Sequence, residues 1–190
     1  MQKTDSIGDW LKNAILWSHN RISALTLCGL CFFIGACDVY DADMKCADVI
    51  EAYDKTGFIT DEEGLATDIE TGTRWFRCPA GKRFVNYRCK GEALYLSWDE
   101  ATNYAKEFSE KSGMRWRLPT NREMKSIMRA DCIAPSLNEN VFLDAEVANH
   151  WTSSSSLHQD AFRCSTNTYS GRISCRQARV IQQPFLLVQD

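Results

Sequence analysis

The stretch Ser97–Glu123, SWDEATNYAKEFSEKSGMRWRLPTNRE, decides how this chain folds. It opens on a serine with a glutamate three residues on. In such a capping box the Ser97 hydroxyl and the Glu100 carboxylate each satisfy a backbone N–H left unpaired at a helix start. Trp98, Ala101, Ala105 and Phe108 recur at helical spacing and mark one apolar face. Gly113 supplies the stop, because glycine takes the left-handed conformation without a Cβ clash. Trp116-Arg117-Leu118 reads as a short extended piece held by Pro119, since the residue before proline avoids the helical region. Thr120 and Glu123 form a second capping box. Met124, Ile127 and Met128 then give a second helix a buried face, ending near Ala130.

Upstream, the β-favouring residues Trp75, Phe76, Phe84, Val85 and Tyr87 are interrupted by Pro79 and Gly81, a strand–turn–strand pattern. Thr60–Gly64 reads as an acidic loop. Before it, Cys46, Val49, Ile50 and Tyr53 recur at helical spacing, so Met44–Thr56 is expected as a short amphipathic helix, capped by Asp43 and stopped by Gly57. Downstream of Cys132 the chain is loop-rich through Pro135, Asn138 and Asn140, punctuated by Phe142, Trp151 and Leu157. The remainder reads as β: Ala161–Ser165, a turn at Ser170-Gly171, Ile173–Val180, and a last piece at Pro184–Val188.

The N-terminal region holds a different signal. Arg21–Cys37, RISALTLCGLCFFIGAC, is a basic residue, an apolar run of signal-peptide length, and Ile34-Gly35-Ala36-Cys37. That ending resembles the lipobox of bacterial lipoproteins. The resemblance implies a signal peptide over residues 1–36, cleavage before Cys37 and a lipid on the Cys37 sulfur. An uncleaved anchor or a buried helix is the alternative, but the run falls short of the ~20 residues a bilayer span needs. The polar leader before it, with Asp5, Asp9, Trp10 and Trp17, is long for an n-region, which leaves a later start codon open.

Cys28 and Cys31 leave with such a leader. Six cysteines then remain: Cys46, Cys78, Cys89, Cys132, Cys164 and Cys175. An even number in an exported domain implies three disulfides. Cys78 and Cys89 flank the Pro79–Gly81 turn, Cys164 and Cys175 stand about the Ser170-Gly171 turn, and Cys46 is left with Cys132 by elimination. Spacing alone does not choose among all the pairings six cysteines allow.

With 44% hydrophobic and 25% charged residues the composition is that of a globular protein. Net charge is −3, unevenly spread: eleven acids against Lys45 and Lys55 between Asp38 and Glu70, then six bases and no acid from Arg74 to Lys90. Those bases (Arg74, Arg77, Lys82, Arg83, Arg88 and Lys90) are the candidate ligand-binding residues, a stripe suited to a polyanion. The alternative is that the acidic segment folds against the basic one, or that both are solvated faces. Export argues against nucleic acid as the partner.

Several of these pieces, in this order, resemble one family. Thr67-Asp68, Thr71-Gly72 and Trp75-Phe76-Arg77-Cys78 are followed by Cys89-Lys90-Gly91, Ser97-Trp98-Asp99-Glu100-Ala101 and Trp116-Arg117-Leu118-Pro119-Thr120 with Glu123. Pro135-Ser136-Leu137-Asn138, Phe142 and Trp151-Thr152-Ser153-Ser154 complete the set. The set is similar to the Lcl C-terminal domain family, the module that ends a bacterial collagen-like adhesin. The resemblance covers residues 64–190, behind an acidic tether and short helix over 37–63. It implies an α+β, C-type-lectin-like fold, with two main helices on short antiparallel sheets, stapled by disulfides. It also implies structural roles for Trp75, Trp98, Trp116 and Trp151, and an anchoring rather than catalytic role for Arg117. The closing segment Phe185–Gln189 departs from the family's alternating valine, arginine and leucine, and the Cys164–Cys175 pair is not carried over from the family.

The motifs of calcium-dependent sugar binding are missing: Gln183-Pro184-Phe185 is a partial echo, and Trp151 is followed by Thr152-Ser153. Asp61-Glu62-Glu63 lacks the spaced oxygen ligands of a calcium loop. His150 and His158 have no HExxH or paired Cys/His spacing around them. No nucleophile elbow or phosphate-binding glycine loop is present. No catalysis, cofactor or metal is therefore expected. The expectation is a lipid-anchored lipoprotein of the bacterial cell envelope, on the periplasmic side, binding a glycan, polyanion or envelope protein. The alternative is a structural accessory lipoprotein of an envelope machine such as a secretion system or pilus. Asp38, after the lipid cysteine, resembles an inner-membrane retention signal.

Overall fold

A computed structural model describes residues 44–156 and 159–190. The expected signal peptide over residues 1–36, Cys37, Asp38, Asp43, Leu157 and His158 lie outside the described residues. The chain is α+β. Among the described residues three helices, α1 (Cys46–Val49), α2 (Trp98–Ser112) and α3 (Asn121–Ile127), accompany ten short strands. These are β1 (Phe58–Thr60), β2 (Leu65–Asp68), β3 (Arg74–Phe76), β4 (Arg83–Val85), β5 (Arg88–Lys90), β6 (Trp116–Arg117), β7 (Asn149–Ser155), β8 (Phe162–Asn167), β9 (Arg172–Ala178) and β10 (Val188–Gln189). No helix among the described residues is long and apolar enough to cross a membrane.

Both capping boxes form. The Ser97 amide donates to Glu100 Oε2 at 2.9 Å, Gly113 sits in the left-handed region at φ +69°, and its amide caps the Ser109 carbonyl of α2. The Thr120 amide donates to Glu123 Oε2 at 2.7 Å at the head of α3. That helix ends at Ile127, short of Ala130, because Met128 turns extended and the Arg129 amide bonds the Ser136 carbonyl instead.

The main sheet has the order β1-β2-β3-β10-β6, all antiparallel. Period-2 alternation sends Leu65, Phe76 and Leu187 to one side and Ala66, Trp75 and Val188 to the other. Ala101 and Ala105 of α2 pack with the first set, and Met124 and Ile127 of α3 with the second, so the two helices cover opposite faces. Trp75, Trp116 and Trp151 are buried in these cores, while Trp98 is half-buried at the edge. Strand β10 threads between β3 and β6, pairing Val188 with both Trp75 and Arg117. The rest of Pro184–Val188 is buried chain whose carbonyls accept from Trp151, Ala80 and Phe76 rather than from a continuous strand. A second sheet, β7-β8-β9, and the β4–β5 hairpin complete the fold.

The expected Met44–Thr56 helix is corrected to a single turn, α1. Asn138 Nδ2 takes the Asp54 carbonyl at 3.0 Å and Asn140 Nδ2 takes that of Glu51 at 2.9 Å. The Asp54 side chain caps the Thr56 amide in an Asx turn, and Tyr53, at φ +69°, points outward, 89% exposed. The expected tether, Asp38–Asp43, lies outside the described residues, and the residues after it are built into the domain. Cys46 is joined to Cys132, Lys45 bridges Ile133, and β1 extends the main sheet. Strand β7 occupies part of the region read as loop, and Tyr87 lies in a turn with Asn86 (φ +60° and +51°) rather than in a strand. Disulfides join Cys46–Cys132, Cys78–Cys89 and Cys164–Cys175.

Candidate functional site

The six bases between Arg74 and Lys90 do not form one stripe. Arg77 is corrected to an interior residue, 3% exposed, with Nε donating to the Val141 carbonyl at 3.0 Å and Nη2 to that of Asn140 at 2.9 Å. Burial lowers its pKa, and Asp61 opposes that shift. Lys82 is also withdrawn. Its ammonium lies 3.8 Å from Asp144 and 3.6 Å from Glu146, with the side chain 13% exposed. Arg74 is exposed on β3.

Arg83, Arg88 and Lys90 remain together on the β4–β5 hairpin. Arg83 pairs with Lys90 and Val85 with Arg88, while Phe84 pairs with Cys89. Alternation therefore places the three cations and Val85 on the outer face, and Phe84 and Cys89 on the inner one. None of the three has an ion-pair or side-chain hydrogen-bond partner among the described residues. The inner face is held firmly. Cys89 is bonded to Cys78, the Arg77 guanidinium lies 5.3 Å from the Phe84 ring, and Tyr87 donates to Glu62 at 2.9 Å. Gly64 leaves room for the Phe84 ring, which a Cβ there would meet at 2.5 Å. The result is a disulfide-held hairpin carrying three positive charges that are unmatched among the described residues.

A second surface lies between α2 and β6, a cleft of about 410 Å³. Trp98, Ala105, Trp116 and Leu118 line it with Lys106, Arg115 and Arg117. Arg117 is consumed in structure. Its Nη1 and Nη2 donate to the two Glu123 oxygens at 2.9 and 2.7 Å, and its Nε donates to Asp190 at 2.6 Å. These bonds raise the guanidinium pKa further, Glu123 contributing most. Burial alone would raise Glu123, but hydrogen bonds from Arg117 and from Thr120 overcome it and hold the carboxyl at about 2. Lys106 and Arg115 were missed from sequence. The signal was present, since Lys106 is two helical turns from Trp98 and Arg115 directly precedes Trp116.

His150 is fully buried, with Nδ1 3.2 Å from the Ala148 carbonyl and Nε2 without a partner among the described residues. Burial pushes it down to about 4, so the imidazole is neutral. Among the described residues no group of three or more His, Cys, Asp or Glu side chains is arranged to hold a metal ion.

No curated protein and no solved structure matches the chain. The sequence profile of the Lcl C-terminal domain matches residues 64–188, more than half its length. The matched span holds both capping boxes, the Arg117–Glu123 pair, the hairpin and the lining of the cleft except Asp190, and it ends within β10 at Val188. By that match the chain belongs to the Lcl C-terminal domain family.

Proposed function

We propose that this protein is a lipid-anchored, extracytoplasmic binding module with a C-type-lectin-like fold, which engages a polyanionic glycan through the β4–β5 hairpin and performs no catalysis. The observation that carries the reading is the outer face of the hairpin: Arg83, Arg88 and Lys90 side by side, exposed, with no carboxylate among the described residues to neutralise them. Convergent like charges on a disulfide-held projection repel one another, and a polyanion relieves that repulsion. The lipobox-like Cys37 and the family membership support export to the envelope.

Titration with a heparin oligosaccharide at stepped ionic strength tests this reading. Affinity is expected to fall steadily with salt, because exposed charge pairs are screened. Arg83→Glu combined with Lys90→Glu is expected to weaken it by roughly tenfold or more. Salt-independent binding, or an unchanged affinity in the double variant, would remove the hairpin from consideration. A protein partner, as in an envelope-machine accessory, is favoured by a different surface, the cleft.

A further inference from the structure

The cleft between α2 and β6 has chemistry unlike the hairpin's. Its floor is apolar, and the indole N–H groups and the Ser109 hydroxyl there are already engaged. Trp98 Nε1 donates to the Thr152 carbonyl at 2.8 Å, and Trp116 Nε1 to Ser112 Oγ at 3.1 Å. Ser109 Oγ donates to the Ala105 carbonyl at 2.8 Å and accepts from the Trp116 amide at 2.7 Å. The Arg163 and Arg179 guanidinium carbons lie 4.6 and 5.6 Å from the Trp98 ring centroid. Phe76 and Phe108 crowd Trp116 at 6.0 and 5.6 Å. A sugar ring needs several free donors and acceptors and an open aromatic face, and this floor supplies neither.

The rim is the opposite. Lys106 on α2 and Arg115 just before β6 are both exposed, and neither side chain has an ion-pair or hydrogen-bond partner among the described residues. Arg117, the remaining cation of the cleft, is matched by Glu123 and Asp190. An apolar floor beneath two unmatched cations calls for an apolar group flanked by carboxylates. Two cations on separate elements suit two carboxylates on either side of an anchor better than the single head group of a fatty acid. The volume of about 410 Å³ is within the range of sites that enclose such an anchor.

We propose that this cleft docks an acidic peptide segment of a protein partner, its bulky apolar side chain on the floor between Trp98 and Trp116 and its flanking carboxylates on Lys106 and Arg115. The site is separate from the hairpin, so either can fail without the other. The test uses the full chain in nanodiscs of zwitterionic lipid and saturation-transfer NMR on the peptide Gly-Ser-Glu-Phe-Glu-Ser-Gly at millimolar concentration. Saturable transfer to the phenylalanine ring is expected. It is expected to drop by roughly tenfold when the two glutamates become glutamine, and again when Lys106→Glu and Arg115→Glu are combined. Lys125→Glu, an exposed reversal on α3, is expected to change nothing. No saturable transfer overturns the proposal, and so does equal transfer to the glutamine peptide. Unchanged binding in the Lys106→Glu/Arg115→Glu variant, or displacement of the peptide by a heparin oligosaccharide, overturns it as well.

Discussion

Replacing Glu123 by glutamine probes the contact that ties the WRLPT segment to α3. The Glu123 carboxylate accepts four hydrogen bonds: 2.9 and 2.7 Å from the Arg117 fork, 2.7 Å from the Thr120 amide and 2.8 Å from its hydroxyl. Holding it at about 2 rather than 4.5 corresponds to about 3 kcal/mol of folding free energy. The Arg117 side chain is 36% exposed, so solvent screening brings that figure to about 2 kcal/mol. Glutamine keeps a side-chain oxygen for the Thr120 amide, so the cap survives, while the charge and the bond from Arg117 Nη2 are lost. Urea denaturation of the oxidised protein at pH 7 reads the cost. The folded pKa is depressed, so the stabilisation is present above pH 4.5 and is lost as pH falls toward 2. The wild-type and Gln curves must therefore converge across that window. A cost under about 0.5 kcal/mol at pH 7 refutes the reasoning, as does a gap that stays constant from pH 7 to 2.

Other outcomes follow from the same contacts. His150 is kept neutral at about 4 against an ordinary 6.5, so the unfolded chain binds the proton more readily. Stability is full above pH 6.5 and falls by about 3 kcal/mol as pH drops toward 4. In His150→Phe, melting temperature against pH should lose that slope while keeping the lower one set by Glu123. Removing Cys46–Cys132, which spans 86 residues, should cost about 4–5 kcal/mol. Removing Cys78–Cys89, spanning 11, should cost about 3 kcal/mol, and a reversed order in denaturation midpoints contradicts this ranking. Gly64→Ala combines φ +89° with a Cβ 2.5 Å from Phe84 Cγ. It should destabilise the protein by about 2 kcal/mol or more and open the hairpin to limited proteolysis; wild-type resistance would show that Phe84 can move aside.

What was legible in the sequence was what neighbours in the chain decide. The capping boxes at Ser97 and Thr120 and the stop at Gly113 involve groups within four residues of one another, so pattern suffices to place them. The helix expected over Met44–Thr56 failed because its carbonyls are claimed by Asn138 and Asn140, more than eighty residues away. Strand β7 was hidden by its serines, which favour no strand by themselves and become one by pairing with β8. Charge in the basic stretch was visible, but its distribution was not. Lys82 is neutralised by Asp144 and Glu146, and Arg77 is buried against the backbone near Val141, both partners supplied by a distant loop. Only the tertiary fold separates Arg83, Arg88 and Lys90 from them as exposed charge. The cleft was legible in part, through the helical spacing of Trp98 and Lys106, but its opposite wall comes from β6.

Intact mass spectrometry of the protein purified from native membranes, before and after reduction with alkylation, tests the exported binding module most directly. The expected result is a chain that begins at a lipidated Cys37, with Cys46, Cys78, Cys89, Cys132, Cys164 and Cys175 alkylating only after reduction. A chain that retains residues 1–36 and whose cysteines alkylate without reduction would contradict export and return those six cysteines to consideration as functional thiols.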